Sequence, residues 1–287
     1  MKTYLDCVPC FIRQAIDAAR MATDDIAVHE RVVRETLRLS WEMDYREPPA
    51  RMAQLTHRLV KKLTGNPDPY RKAKEQFNRA ALELYPELKR RVECAASPLD
   101  AALRLAAAGN IIDLGAASHV DQEKVWETIE NSLRAPLFGG TAEQFARSLA
   151  RAGRILYLAD NAGEIVFDKL LIELLPREKV TVVVRGAPAI NDATMDDAQM
   201  VGLTDLVEVI DTGSDAVGIF LDSCSAEFRQ RLEEADLLIS KGQANYETVT
   251  ELDKPTWFLL CAKCPVVARD VGCAVGDFVL KPKCCGG

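Results

Sequence analysis

From Arg154 onward the chain carries five short apolar runs, "ILYLAD", "KVTVVVRG", "LVEVIDTG", "DLLISKG" and "TWFLLCAK". They show no in/out alternation, so they offer water no polar face. Strands of that kind are covered on both sides, which is the condition of a parallel sheet. Between them lie stretches with helical spacing, "EIVFDKLLIELLP", "DAQMVGL", "AEFRQRLEEA" and "NYETVTEL". Strand and helix in alternation, with both sheet faces covered, predict a doubly wound α/β arrangement.

The first half has a different texture. "FIRQAIDAARMA", "DDIAVHERVVRETLRLSWEM" and "RMAQLTHRLVKKLTG" place apolar residues three and four apart, and the last predicts a helix closed by Gly65. "RKAKEQFNRAALELYPELKRRVECAA" reads as a further helix that Pro86 should bend or break. The expected organisation is a mainly helical domain over residues 1–150 and an α/β domain over 151–287.

With 48% hydrophobic and 28% charged residues, a packed core is feasible and general disorder is not expected. A net charge of −7 argues against a nucleic-acid or anionic-membrane partner. No apolar run reaches the roughly 18 residues of a membrane-spanning helix. Asp6 and Arg13 interrupt the N-terminal stretch where a secretory leader needs an apolar segment. The expectation is a soluble, cytoplasmic protein.

Ligands of doubly wound sheets bind outside the carboxyl ends of the strands. Collected there are Asp160-Asn161, then Arg185 with Asn191 and Asp192, then Asp211 to Ser214, then Ser240, Lys241, Gln243 and Asn245, then Cys261 to Cys264. Carboxylate and amide oxygens suit a hard divalent cation such as Mg²⁺ or Mn²⁺. Arg185, Lys241 and Lys263 suit phosphate oxygens. Cation ligands and basic side chains on one rim point to phosphoryl chemistry. Any one of these taken alone is an ordinary turn or cap residue; the signal is their recurrence at matching strand ends. Neither a Gly-x-Gly-x-x-Gly turn nor a Walker Lys-Ser/Thr pair is present, which disfavours dinucleotide and P-loop readings.

In this order, "DNAGE", "RGAPAINDAT", "SKGQANYE" and "CAKCP" resemble the damage-control phosphatases, a family of metal-dependent phosphatases. "CVPC", "TGNPDPYRKAK" and "AAGNIIDLG" are similar to its archaeal and bacterial branch. The resemblance spans nearly the whole chain. It implies an N-terminal helical domain on a Rossmann-like α/β/α domain with a mainly parallel sheet. It also implies a divalent metal (Mg, Mn, Co or Ni) on Asp160, Asn161 and Asp192, with Lys263 serving phosphate. The eukaryotic branch has Arg-Thr-x-Lys where this chain has "CAKC". The implied activity is hydrolysis of a small phosphorylated metabolite, such as a sugar phosphate, with Asp160, Asp192 and Lys263 catalytic. Glu164, Arg185, Asn191, Lys241, Asn110 and Asp113 are the candidate substrate contacts. Glu164 could orient a water, or simply pair with the helix dipole.

Two Cys-x-x-Cys pairs, Cys7 with Cys10 and Cys261 with Cys264, could make a zinc or redox site if the fold joins them, or could be buried apolar residues. His29, His57 and His119 show no ligand spacing. A non-catalytic regulatory protein binding metal or nucleotide at the same rim is the alternative. The polar breaks "GNPDPY" and "GNIIDLG" predict that Asp68, Asn110 and Asp113 face the rim, with the site in a cleft between the halves.

Overall fold

Amphipathic spacing builds the first half of the computed structural model, which describes residues 1–109, 111 and 122–283. Its helices are α1 (Val8–Ala22), α2 (Ile26–Glu42), α3 (Pro49–Thr64), α4 (Arg71–Glu93), α5 (Pro98–Ala108) and α6 (Gln122–Arg134). A short strand, β1 (Leu137–Phe138), and α7 (Ala142–Arg151) lead into the alternating half. There follow β2 (Ile155–Leu158), α8 (Glu164–Ile172), β3 (Val180–Val184), α9 (Met195–Met200), β4 (Glu208–Asp211) and α10 (Ala226–Glu234). The chain continues through β5 (Leu237–Lys241), α11 (Gln243–Val249), β6 (Thr256–Cys261), α12 (Pro265–Val271) and β7 (Phe278–Lys283). Asn110, Asp113, His119, Cys284 and Cys285 lie outside the described residues.

Among the described residues the strands form one seven-stranded sheet in the order β1-β7-β6-β5-β2-β3-β4. All neighbours run parallel except β6 and β7. The chain grows from β2 through β3 to β4, then crosses back to place β5 on the other side of β2. The strand order therefore reverses between β2 and β5.

The pleat accounts for the missing polar face, because successive side chains point to opposite sides. Ile155, Tyr157, Val182, Leu237 and Ile239 pack into one cluster with α4 to α9. Leu156, Leu158, Val183, Leu238 and Phe258 pack on the other side with α10 to α12, Phe11 of α1 and Met52 of α3. Helix α8 is buried nearly all round because α4 and α5 cover the side that the sheet does not.

Gly65 ends α3 with a left-handed φ of 68°, as its position predicts. Pro86 does not break α4, which runs unbroken through it. The ring is exposed to solvent, so it sits on the outer side of the helix and displaces nothing in the core.

Candidate active site

The crevice outside the carboxyl ends of β2 and β5 lies where the strand order reverses, the position at which open α/β sheets bind ligands. The turn after β2 carries Asp160 and Asn161, and the loop after β3 carries Asn191 and Asp192. Two backbone hydrogen bonds join these segments, Ala162 N–H to the Asn191 carbonyl at 2.9 Å and Ala193 N–H to the Asp160 carbonyl at 2.7 Å. An antiparallel bridge sets Asn161 opposite Asp192. The three expected metal ligands are thus neighbours, all buried.

Asp160, Asn161, Asn191, Asp192 and Lys263 line one cavity of about 470 Å³. Its far wall comes from the helical half, through Phe11 of α1 and Pro49, Ala50 and Ala53 of α3. The cavity therefore lies between α1 and α3 on one side and the carboxyl-end rim on the other. Asp68 is not part of it. That carboxylate stands in a separate small recess with His57, Lys61, Pro188 and Ile190, behind the loop that carries Asp192.

Burial raises the Asp160 carboxyl well above its usual range, and the charges of Glu164 and Asp192 add to the effect against Arg185 and Lys263. Burial likewise pushes Asp192 up to about 6, opposed by Arg185. Two crowded carboxyls, each disfavoured as an anion, are what a cation would relieve. Asn161 Nδ2 donates to Asp160 Oδ2 at 2.6 Å and to Glu164 Oε2 at 2.9 Å. This orientation leaves the amide oxygen as the remaining donor atom. Gly242 makes room: at its φ of 74°, a Cβ would lie 2.0 Å from Asp160 Oδ2. Two carboxylates, one amide oxygen and a neighbour with no side chain fit a hard divalent ion. Among the described residues no three His, Cys, Asp or Glu side chains are grouped to hold a metal, so the amide is needed to complete this set.

Three expected substrate contacts occupy other roles in the structure. Lys241 is fully buried beneath the rim and does not line the cavity. It donates to Glu164 Oε1 and Asp168 Oδ1 at 2.6 Å and to the Ala106 carbonyl at 2.7 Å. Burial disfavours its ammonium, but Asp168 and Glu164 outweigh burial and raise its pKa. Glu164 is held between Lys241 and the Asn161 amide, so it aligns the amide. Arg185 is buried as well, with Nε donating to Asp192 Oδ2 at 2.7 Å and Nη2 to Asn245 Oδ1 at 2.9 Å. These basic groups hold the acids in place. Lys263 is the exposed cation on the cavity wall.

The cysteines divide. Cys7, Cys10 and Cys264 line the cavity, whereas Cys261 packs on the opposite face of the sheet and donates to the Gly276 carbonyl at 3.7 Å. A four-cysteine site is therefore not assembled. Sequence reading missed Gly242, and also Glu247, a cavity-lining acid that burial pushes up to about 7. Glu247 accepts the Ala50 N–H at 3.0 Å and so ties α11 to α3. Ile190, in the loop leading into Asp192, takes a φ of 48°, which is rare for a β-branched residue.

Fold and cleft together define a mixed α/β protein with an acidic, oxygen-rich cavity at its strand-order reversal. The chain belongs to the ARMT1-like damage-control phosphatase family, whose domain pattern matches residues 3–279. It is 37% identical to a damage-control phosphatase of Archaeoglobus fulgidus over 282 residues, covering 96% of this chain and 97% of that one. It is 33% identical over 284 residues to a damage-control phosphatase of Pyrococcus horikoshii, covering 97% of each. An uncharacterised protein of Methanocaldococcus jannaschii is 38% identical over 288 residues, covering 96% of this chain and 93% of that one. The crystal structure of a DUF89 family protein from Pyrococcus horikoshii superposes with a TM-score of 0.90 at 32% identity, covering 98% of this chain and 99% of that one. Family membership supports a phosphatase role. Among the described residues no helix is long and apolar enough to cross a membrane.

Proposed function

We propose that this protein is a metal-dependent phosphatase acting on a small phosphorylated metabolite. The observation that carries the reading is the convergence of Asp160, Asn161, Asp192 and Lys263 on one cavity at the strand-order reversal. A cavity of about 470 Å³ suits a metabolite-sized ligand. Asp160, Asn161 and Asp192 would hold the cation, with Mg²⁺, Mn²⁺, Co²⁺ and Ni²⁺ the candidates. When bound, such an ion supplies Lewis acidity toward a phosphoryl oxygen. Lys263 places its ammonium against the remaining phosphoryl charge. Arg185 fixes the Asp192 carboxylate, and Glu164, itself fixed by Lys241, fixes the Asn161 amide, so the oxygen set does not reorganise during reaction. The helical wall limits the water around the transferring group.

The test is phosphate release from a panel of sugar phosphates and other small phosphoesters, with each cation supplied in turn. Release should require a cation and be lost in Asp160→Asn. Lys263→Ala should lower turnover by about a hundredfold or more, by analogy with loss of one charge-stabilising donor, while cation binding persists. Release that survives chelation would overturn the metal dependence. Cation binding without release from any phosphoester would favour a regulatory binding protein.

A further inference from the structure

Helix α4 belongs to the first half of the chain, yet its side chains reach both segments that carry the oxygen donors. Asn78 is fully buried. Its Nδ2 donates to Asp197 Oδ1 at 2.8 Å, and its Oδ1 accepts the Gly163 N–H at 2.7 Å. Gly163 caps α8 in the Asp160-Asn161 turn, and Asp197 closes the capping box of α9 with Thr194 just after Asp192. One helical turn before Asn78, on the same face of α4, lies Lys74. Its ammonium, also buried, donates to Asp197 Oδ2 at 2.7 Å, Thr194 Oγ1 at 3.3 Å and the Asp192 carbonyl at 3.4 Å. Lys74 therefore touches the loop after β3 at Asp192 itself, while Asn78 touches the turn after β2 and the first turn of α9, which follows that loop.

This arrangement is an expensive way to dock a helix. Buried ion pairs seldom improve on apolar packing of the same volume, and their best-attested use is to fix one geometry among several. Apolar docking is already provided by Ala81, Leu88 and Val92 of α4, which sit in the cluster beneath the sheet. The polar pair sits instead where two backbone segments must keep a set distance. Asp160, Asn161 and Asp192 can share an ion only if their oxygens stay within bonding range, about 2.0–2.6 Å from the ion for hard cations.

We propose that Lys74 and Asn78 are positioning residues of the cation site. The α4 clamp sets the spacing between the Asp160-Asn161 turn and the Asp192 loop, and through that spacing the affinity for a divalent ion. The inference rests on the reading of the cleft as a cation site. An internal control exists on the same helix. Lys89 and Tyr85 hold Glu173, beyond the last residue of α8, at 2.7 Å and 2.6 Å, so they tie α4 to the same neighbour without touching either donor segment.

Mn²⁺ is titrated calorimetrically into the full-length parent protein and into Asp160→Ala, Asn78→Ala, Lys74→Met and Lys89→Met, with the cation-free unfolding midpoint recorded for each. Binding by the parent that disappears in Asp160→Ala establishes the ion's place. Absent parent binding, or binding unchanged in Asp160→Ala, overturns the cation site and the clamp together. With the ion placed, Asn78→Ala and Lys74→Met should bind at least about tenfold more weakly, a difference of about 1.4 kcal/mol. Lys89→Met should stay within about twofold of the parent even where its midpoint falls, because global stability and local affinity are separate readouts. Parent-like affinity in both clamp variants, or an equal loss in Lys89→Met, overturns the clamp alone. Should Asn78→Ala not fold, Asn78→Ser takes its place. For the least stable variants the Mn²⁺-induced rise in midpoint reports the same affinity.

Discussion

Gly242 and Asp160 meet so closely that the glycine is part of the site without contributing an atom to it. Gly242→Ala would bring a methyl to 2.0 Å from Asp160 Oδ2, at a backbone φ of 74° that alanine resists. Either Asp160 turns away or the loop shifts. The expected result is a loss of about 1–3 kcal/mol of stability together with a steep fall in cation affinity. A variant with parent-like affinity in a titration would show that Asp160 does not hold the ion. Protons should compete with that ion. Asp160 is raised by burial and by neighbouring acids, and Asp192 by burial from 3.8 to about 6. Cation affinity should therefore climb as pH rises through about 6, with protons released on binding. Calorimetry in buffers of different ionisation heat checks this, and a flat affinity across that window counts against the assignment. Without the ion the same shift has a stability sign. Asp192 contributes stability that is complete below 3.8 and lost as pH rises through about 6, because the folded state keeps its proton longer.

Helix α4 shows how far local rules reach. Its spacing was legible, and so was the proline, but not the direction of the ring. With Pro86 on the solvent side of an unbroken helix, the lost hydrogen bond is a local defect. Pro86→Ala restores an N–H donor and removes the ring from the preceding turn, so it should stabilise the fold by about 1–3 kcal/mol. Chemical denaturation measures it, and an unchanged or lower midpoint would mean that the helix is strained for packing reasons. The five apolar strands were legible because burial on both faces leaves a continuous run. Strands β1 and β7 were not, since one has two residues and the other ends in Lys281, Pro282 and Lys283. Lys241 was placed at a strand end correctly but credited to the cavity. It shares the pleat side of Leu237 and Ile239, which faces α5 and α8, and strand position alone does not say which neighbours that side will meet. Arg185 presents the same difficulty: its pairing with Asp192 depends on how the loop after β3 curls back.

The cleft is a property of the full chain. Its oxygen donors follow β2 and β3, its glycine follows β5, its lysine follows β6, and its apolar wall comes from α1 and α3. Sequence could list the rim because parallel strands end on one side. It could not show that α4 would reach across to the two donor segments, because no periodicity encodes a contact such as Asn78 with Gly163. That distribution has a consequence in time. Helices α1 to α3 can form from local contacts, but the cavity needs pairings between segments far apart in the chain, and such closures come late in folding. During synthesis, Asp160, Asn161 and Asp192 leave the ribosome well before Gly242 and Lys263. Nascent chains lacking β5 and β6 should thus carry the acids without their enclosing partners. On dilution from denaturant, helical circular dichroism should recover ahead of cation binding, and simultaneous recovery of the two signals would show that the cleft forms with the helices. A cell making this protein would then have a built-in order of events, in which the proposed cation site is enclosed only after β5 and β6 have joined the sheet.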